Sequence, residues 1–391
     1  MSRAKRATGA VILLVLLASA APSGSAAPAS AISDSRLFSS VNVRFWTPTH
    51  VSDASRMYRG GVRTARLSFD WWGIEGTPTV FNWHKIDRWV GNLASQGVRT
   101  IPILFGAPVW AVTESVPQSG KRPRLVGADP PATGNATAYP PVKSSTEVYE
   151  WRQFVKAAVQ RYGHGGSYWS SDYLVAHPGA RPMPVNTWQV WNEPNIPGAF
   201  WPKPNVSEYA KLVRISAGAI RGADPEARVA LAGVPGRVDY HGIPYLNRLY
   251  ATGHGIRRDF DIVAFHPYAK TVDGALSQLF RLRHAMRHHG VGSDPIWVSE
   301  IGWGSAKRAP NQFNRGSRGQ AKMLRSLFAQ LTAHRATLGL NLVTWFDWRD
   351  PKTDVSAPCP WCDHSGLIDK RNHRKPAWNA YRKFVTGSSA Q

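Results

Sequence analysis

The stretch TWQVWNEPN, residues 187–195, is the most informative about the fold, because it shows how a buried strand of this chain is composed and where it ends. Aromatic and β-branched residues dominate its first five positions, which is typical of a parallel strand covered on both faces. Asn192 and Glu193 follow at once, and Pro194 removes the backbone donor that a longer strand would need. The stretch therefore predicts a buried strand with an amide and a carboxyl group at its carboxyl end.

Seven other stretches have the same character, being short and rich in β-branched or aromatic residues. They predict, together with the first, eight strands of one parallel sheet. In chain order the eight are VNVRFW (41–46), VRTARLSFDW (62–71), VRTIPILFG (98–106), TWQVWNEPN (187–195), RVALAGVPG (228–236), FDIVAFHPYA (260–269), PIWVSEIGW (295–303) and LVTWFDWRD (342–350).

Helix-forming stretches lie between these strands. Ser144 with Glu147, and Asn205 with Glu208, have the spacing of a capping residue and its partner three positions on. Strands that alternate with helices indicate an α/β fold, and eight of them indicate a (β/α)8 TIM barrel. The predicted helices cover 82–97, 144–163, 205–222, 320–332 and 376–384, the last with a proline in its first turn.

One barrel accounts for the chain after its first residues. The 391 residues would fit two or three average domains, but α/β barrels often run longer as one unit. The alternative, a doubly wound open sheet, would require a glycine-rich phosphate loop after the first strand, and the sequence has none there. We therefore predict a single domain over residues 32–391. Its long βα loops follow strands 3 and 8, at 107–145 and 351–373, on the face where barrel active sites form.

The N-terminus has the pattern of a secretory signal peptide. Arg3, Lys5 and Arg6 precede a short apolar run, VILLVLLASA at 11–20, and small residues follow. The run is well short of the ~20 residues that span a bilayer, which disfavours the alternative of a membrane anchor. We expect residues 1–31 to be a signal peptide, cut between positions 20 and 31. The mature chain is then secreted and has no membrane span, and attachment to the cell wall is left open.

The chain has two cysteines, Cys359 and Cys362. In an exported protein this spacing favours a local disulfide over a redox motif. A zinc site would need two further ligands at finger spacing, which the sequence does not supply. We therefore predict a disulfide, no metal and no cofactor.

The charge balance is strongly basic, with 48 Lys and Arg against 25 Asp and Glu and a formal net charge of +23 at pH 7. Such a field favours anionic partners, although a solvated arginine-rich surface explains the same composition. Export and the lack of a binding motif argue against nucleic acid, so an anionic glycan is the partner that the charge favours. Basic residues in the predicted βα loops would rim the site: Lys121, Arg122, Arg124, Lys307, Arg308, Arg315, Arg318, Lys352 and those within 370–374.

A second carboxyl group, that of Glu300, ends the seventh predicted strand in WVSEIGW (297–303). Strands four and seven lie across the mouth of an eight-stranded barrel, so Glu193 and Glu300 are expected to face each other. Two carboxyl groups that face each other across a cleft can hydrolyse a glycosidic bond, and a separation of about 5–5.5 Å indicates the retaining mechanism.

The motifs WNEPN (191–195) and SEIGW (299–303) resemble those of glycoside hydrolase clan A, whose catalytic glutamates lie on strands four and seven. Within the clan the chain most resembles family 39 and family 5-type bacterial proteins, over nearly the whole mature chain. The resemblance implies a secreted, monomeric, retaining glycosidase that cleaves O-glycosidic bonds in a polysaccharide or oligosaccharide. Glu193 would be its general acid/base and Glu300 its nucleophile.

The resemblance also implies roles for residues around the two glutamates. Asn192 would donate to the sugar 2-hydroxyl, and Arg66 on the second strand would steady the nucleophile. Two tryptophans at strand ends, Trp46 and Trp303, are candidates for stacking on sugar rings. On the later strands the resemblance matches His266 and Tyr268 to the H-x-Y feature of the sixth strand and Trp345 to the aromatic platform under the sugar.

An alternative function is a non-catalytic barrel that binds glycans or attaches to the cell wall. The presence of both glutamates together with Asn192 argues against it, because binding alone does not need that pair. The sequence determines neither the sugar and linkage nor whether cleavage is internal or terminal.

Overall fold

The structure is a computed structural model of the chain. It describes residues 37–44, 50–113, 115, 136–237, 239, 241–253, 255–307, 312–352, 359 and 361–387. The chain divides into two compact units, Met1–Ile32 and Ser33–Gln391, and every described residue belongs to the second. The predicted signal peptide lies outside the described residues, as do 116–135 and 353–358 in the two long loops.

A parallel sheet forms the centre of the described chain. Nine strands pair in the order β7-β6-β3-β2-β1-β11-β10-β9-β8, and β4 and β5 form a separate antiparallel pair. This confirms the predicted α/β class with a parallel sheet. The strands are β1 (Ser40–Asn42), β2 (Thr64–Asp70), β3 (Arg99–Phe105), β4 (Ala107–Pro108), β5 (Ala136–Thr137), β6 (Thr187–Val190), β7 (Arg228–Ala230), β8 (Val234–Pro235), β9 (Val263–His266), β10 (Ile296–Ile301) and β11 (Leu340–Trp345).

The sheet curls, and its two ends meet. β7 and β8 stand at opposite ends of the strand order, yet both come from the fifth predicted strand, 228–236. A parallel bridge between Ala230 and Ile262 also links the end at β7 to the residue before β9. Each of the eight predicted stretches contains a strand, and the count of nine in this sheet arises because the fifth is interrupted at 231–233.

Helices follow the strands as the alternation predicted. The side chain of Ser144 accepts a hydrogen bond from the Glu147 amide, and that of Asn205 accepts one from the Glu208 amide, so both predicted caps are confirmed. The helices are Val51–Arg59, Trp71–Ile74, His84–Ser95, Ser145–Tyr162, Ser167–Ser170, Asp172–Ala176, Val206–Ala223, Gly242–Ala251, Val272–His288, Gly316–Ala333, Arg335–Leu338 and Pro376–Thr386, with 3-10 turns at Val109–Val112, Ile256–Arg258 and Cys362–His364.

Two hydrophobic clusters hold these layers together. The larger one joins the strands to the surrounding helices. The smaller one draws on strands from both halves of the sheet order, which places it within the curl. Among the described helices, none has both the length and the apolar character needed to cross a membrane. The members of the smaller cluster are Ile101, Ala230, Ile262, Ala264, Trp297 and Leu342.

Asp70, the last residue of β2, is 2% exposed and makes the stability of the fold depend on pH. One of its oxygens accepts a hydrogen bond from the Ser68 hydroxyl, and its Oδ2 has no partner among the described residues. Burial raises the pKa of Asp70 to about 7, although the bond from Ser68 and the charge of Lys85 act against the rise. The folded chain therefore prefers protonated Asp70, and this contribution is complete below pH ~4 and is lost as the pH rises through about 7.

Asp70→Asn should remove this pH dependence, because the amide stays neutral. The difference in unfolding free energy, variant minus wild type, should grow in favour of the variant by up to about 4 kcal/mol between pH 4 and pH 8. Denaturant titrations of both proteins at several pH values measure it. A difference that stays constant over this range would show that Asp70 does not titrate there.

Candidate active site

The two predicted catalytic carboxyl groups stand at the carboxyl ends of β6 and β10. β6 ends at Val190, and the backbone then turns through left-handed conformations at Trp191 (φ 68°) and Glu193 (φ 49°). Residues other than glycine adopt such angles at an energetic cost and often do so at functional sites. The amide of Glu193 donates to the carbonyl of Gly233 at 3.1 Å, so the turn has a fixed partner in the interrupted fifth strand.

The carboxyl groups of Glu193 and Glu300 lie close together, with His266 between them. Oxygens of the two glutamates and a ring nitrogen of His266 are all within 4.8 Å of one another. His266 Nδ1 is 2.8 Å from Glu193 Oε1 and 3.7 Å from Glu300 Oε2. This separation is shorter than the ~6.5–9.5 Å between the carboxyl groups of inverting glycosidases.

Arg66 holds Glu300 from the second strand, as predicted. The guanidinium is 1% exposed, and its Nη1 donates to Glu300 Oε1 at 2.5 Å. The same group donates to Gln189 Oε1 at 2.7 Å and to Asn42 Oδ1 at 2.9 Å. A buried guanidinium with several acceptors is fixed in position, so its charge is permanently directed at Glu300.

Arg66 also orients Asn192. Its Nη2 donates to Asn192 Oδ1 at 2.8 Å. Because the amide oxygen is engaged, the Nδ2 group on the other side of the amide is the one turned away from Arg66. Asn192 is half-buried and directly precedes Glu193, so its side chain is partly accessible beside that residue.

Tyr268 completes the surroundings of Glu300. Its hydroxyl donates to Glu300 Oε2 at 3.0 Å, and its pKa is raised by burial and by the charge of Glu300, so the hydroxyl stays a donor. Burial alone would raise the pKa of Glu300. The charges of His266 and Arg66, with hydrogen bonds from Arg66 and Tyr268, outweigh burial and lower the pKa below its ordinary value. Glu300 is therefore ionised at neutral pH, as a nucleophile must be.

The structure corrects two of the predicted sugar-binding tryptophans. Trp345 and Trp303 are both fully buried and lie 6.3 Å apart. Trp345 faces the helical layer, with its ring 6.4 Å from that of Phe328 and its indole nitrogen bonded to the carbonyl of Ser365. A ring without exposed surface cannot stack on a sugar, so both residues belong to the core. Trp46 lies outside the described residues.

Two other aromatic residues stand next to Tyr268. The ring of Trp361 is 5.1 Å from that of Tyr268, and the ring of Phe346 is 6.3 Å from it. Phe346 follows the last residue of β11, so it faces away from the helical layer that Trp345 joins. Phe346 and Trp361, at 7% and 6% exposure, are thus the aromatic residues beside Tyr268, and we call them the aromatic wall.

Two further partners of Arg66, Asn42 and Gln189, were not predicted from the sequence. Both are buried, at 6% and 0% exposure. A polar residue inside an apolar strand is the feature that could have identified them, since a buried polar side chain needs a hydrogen-bond partner.

Cys359 and Cys362 form a disulfide in the loop after β11. Arg44 anchors the same loop through its own contacts. It donates to the carbonyl of Cys362 at 2.9 Å and to Asp363 at 3.2 Å, and it forms an ion pair with the buried Asp347. The loop therefore has a second attachment, which does not depend on the disulfide.

Removing the disulfide should change ligand binding more than stability. The bridge closes a loop of only two intervening residues, so it adds little chain entropy to folding. Its loop carries Trp361, which packs against Tyr268. In the double variant Cys359→Ser/Cys362→Ser we expect a several-fold higher KM and a Tm within a few degrees of wild type. A large fall in Tm with an unchanged KM would contradict this account, and wild type treated with reductant is the control.

Among the described residues, Glu193, His266 and Glu300 also form the group of ionisable side chains close enough to hold a metal ion. Both oxygens of Glu300 already accept hydrogen bonds, one of them from the guanidinium of Arg66. That positive charge would repel a cation. We therefore interpret the group as a pair of acids with a histidine.

The fold is similar to that of solved glycoside hydrolases. A GH39 beta-xylosidase from Caulobacter crescentus matches with a TM-score of 0.62 and 19% identity over 91% of this chain and 72% of that chain. A GH39 enzyme from Xanthomonas axonopodis pv. citri matches with 0.63 and 18% over 91% and 67%. A beta-galactosidase from the psychrophilic Marinomonas ef1 matches with 0.60 and 16% over 89% and 59%.

These enzymes are members of the clan that the sequence resembles, so the resemblance is confirmed at the level of the fold. Sequence identities of 16–19% show similarity of fold and nothing further. No protein-family model matches the chain, and no curated protein matches it in sequence.

Proposed function

We propose that this chain is a secreted, monomeric, retaining glycoside hydrolase of clan A. Its catalytic domain, residues 32–391, would be a (β/α)8 barrel that acts on a polysaccharide or oligosaccharide. One observation carries the proposal: Glu193 and Glu300 have carboxyl oxygens within 4.8 Å of each other, and Arg66 and Tyr268 hold Glu300 ionised. Solved enzymes of the same fold are named xylosidase, galactosidase and mannosidase, which supports a carbohydrate substrate. Secretion rests on the pattern of residues 1–31 alone.

The first half of the reaction breaks the glycosidic bond. Glu300 attacks the anomeric carbon and forms a covalent glycosyl ester, while Glu193 gives its proton to the departing oxygen. His266, 2.8 Å from Glu193, holds that carboxyl group in position for the transfer. Asn192 donates to the 2-hydroxyl as the sugar distorts, a hydrogen bond that strengthens in the transition state.

The second half releases the sugar. Glu193, now a carboxylate, takes a proton from water, and the resulting hydroxide attacks the anomeric carbon from the side that the leaving group left. The ester bond to Glu300 breaks, and the carboxylate returns to its bonds with Arg66 and Tyr268. Two inversions give net retention of the anomeric configuration.

A panel of aryl glycosides and polysaccharides tests the proposal. The purified chain should release the aryl alcohol or reducing sugar from at least one member, and the first product should keep the anomeric configuration of the substrate. The alternative, a barrel that binds glycans without cleaving them, predicts binding to a panel member with no product.

A further inference from the structure

Basic residues lie in three neighbouring loops on one side of the proposed site. β8, β9 and β10 are adjacent in the sheet, and Arg237, Lys270 and Arg315 lie in the loops that follow them. Because the carboxyl ends of parallel strands lie at the same edge of a sheet, these loops border the edge that presents Glu193 and Glu300.

Contacts between the loops fix the cluster. Arg315 donates through its guanidinium to the backbone carbonyl of Lys270, which joins the second loop to the third. The guanidinium of Arg237 lies over the ring of Phe313, 5.6 Å from its centroid, which joins the first loop to the third. These contacts join the three loops, and they hold the guanidinium groups of Arg315 and Arg237 against the Lys270 carbonyl and the Phe313 ring.

Asp239 is an acidic residue that contacts Arg237 in this cluster. Asp239 accepts from Arg237 at 2.8 Å, but its side chain is 66% exposed. An exposed ion pair contributes little free energy, so a carboxylate or sulfate of a ligand can replace Asp239 at little cost.

A row of packed rings links this cluster to the nucleophile. Phe313 stacks on Trp361 with ring centroids 5.1 Å apart, and Trp361 lies 5.1 Å from Tyr268, which donates to Glu300. The cluster is thus beside the catalytic carboxyl groups, within the reach of a short oligosaccharide bound there.

We propose that Arg237, Lys270 and Arg315 form a subsite that binds an anionic group on a sugar next to the cleaved bond. The substrate is then an acidic glycan, bearing uronic carboxylates or sulfates. The subsite rests on the proposed function, and in it part of the basic charge of the chain binds substrate. Guanidinium groups suit both anions, because their paired donors match two oxygens of a carboxylate or a sulfate. Nearby exposed charges also attract a polyanion, an effect that salt screens.

The test compares two triple variants that remove equal charge. One is Arg237→Gln/Lys270→Gln/Arg315→Gln. The control, Arg152→Gln/Lys322→Gln/Arg325→Gln, changes exposed residues on outer helices. Dissociation constants are measured at low salt for three probes: oligogalacturonate, dextran sulfate and neutral dextran.

We expect the subsite variant to bind at least one anionic probe about tenfold more weakly than wild type, the loss of roughly one charge-assisted hydrogen bond. The control should lose less than about threefold, and binding of neutral dextran should not change with either variant. The probe that responds identifies the group as carboxylate or sulfate. Equal losses in both variants, or no preference of wild type for either anionic probe, would overturn the subsite.

Hydrolysis of uncharged aryl glycosides separates this proposal from the proposed function. Wild-type hydrolysis of these substrates tests the proposed function alone, because they carry no anionic group for the subsite to bind. Hydrolysis without selective binding of an anionic probe refutes the subsite and leaves the glycosidase standing. Selective binding through these residues without any hydrolysis refutes the glycosidase and leaves an anion-binding surface.

Discussion

Glu300→Gln is expected to lower kcat by at least ~10⁴-fold on every substrate, whatever the leaving group. The amide occupies the space of the carboxylate but cannot form the glycosyl ester. Activity is measured on an activated aryl glycoside and on a natural glycan, and circular dichroism checks that the variant folds. The folding check matters because Arg66 loses the negative charge it faces, and a buried cation without that partner destabilises a fold.

Two controls show whether the loss is chemical. Glu147→Gln removes another buried carboxyl group, one that accepts from the Ser115 hydroxyl and the Lys143 amide, and should leave kcat unchanged. Glu300→Ala should regain turnover with azide, which attacks the anomeric carbon in place of the carboxylate and gives a glycosyl azide of inverted configuration. A Glu300→Gln enzyme with near wild-type turnover would refute its role as nucleophile.

Glu193→Gln should give a loss that depends on the leaving group. A natural sugar leaving group needs a proton from the general acid, so its cleavage should slow by ~10²–10⁴-fold. Dinitrophenolate departs without a proton, so the first step with dinitrophenyl glycosides should stay within about tenfold of wild type. The second step still lacks its base, and pre-steady-state kinetics should therefore show a burst of one dinitrophenolate per enzyme followed by slow turnover.

His266→Ala serves as a comparison for Glu193→Gln, because it removes the side chain that positions Glu193 and keeps the carboxyl group. It should slow natural substrates less than Glu193→Gln does. An equal loss with every leaving group in Glu193→Gln would show that Glu193 does not act as the acid.

Strand ends were the predictable part of the site. Glu193, Arg66, His266, Tyr268 and Glu300 all lie on or directly after strands that the apolar runs mark, and the structure brings the five together. The regular geometry of a parallel sheet explains why these side chains lie close together, because the carboxyl ends of all its strands lie at one edge.

The aromatic wall was not predictable in the same way. Trp345 and Phe346 are consecutive, and alternation requires that they face opposite sides. Which of the two faces the site depends on where β11 ends and turns, and the composition of LVTWFDWRD does not reveal that point. The partners of Arg66 depend similarly on the register between β1, β2 and β6.

The interruption of the fifth predicted strand has a local cause that sequence alone does not show. A side-chain carbon on Gly233 would lie 1.9 Å from His266 Nε2, so the backbone there approaches the ring as only glycine allows. Two backbone groups at this point form hydrogen bonds outside the sheet. The Ala232 amide donates to the Tyr209 hydroxyl, and the Gly233 carbonyl accepts from the Glu193 amide. The strand pairing is therefore interrupted where the backbone contacts His266 and Glu193.

Trapping the covalent glycosyl-enzyme shows whether Glu300 is the nucleophile. Dinitrophenyl glycosides with fluorine in place of the 2-hydroxyl group slow both steps, since fluorine disfavours the positive charge that develops on the sugar. The good leaving group restores only the first step, so the ester accumulates. The probes carry xylosyl, glucosyl, galactosyl, mannosyl or glucuronosyl groups. If Glu300 is the nucleophile, the protein gains the mass of one fluoroglycosyl group from at least one probe, and peptide mapping places that group on Glu300. A label on another residue, or hydrolysis of unfluorinated aryl glycosides with inverted configuration and no adduct, would contradict it.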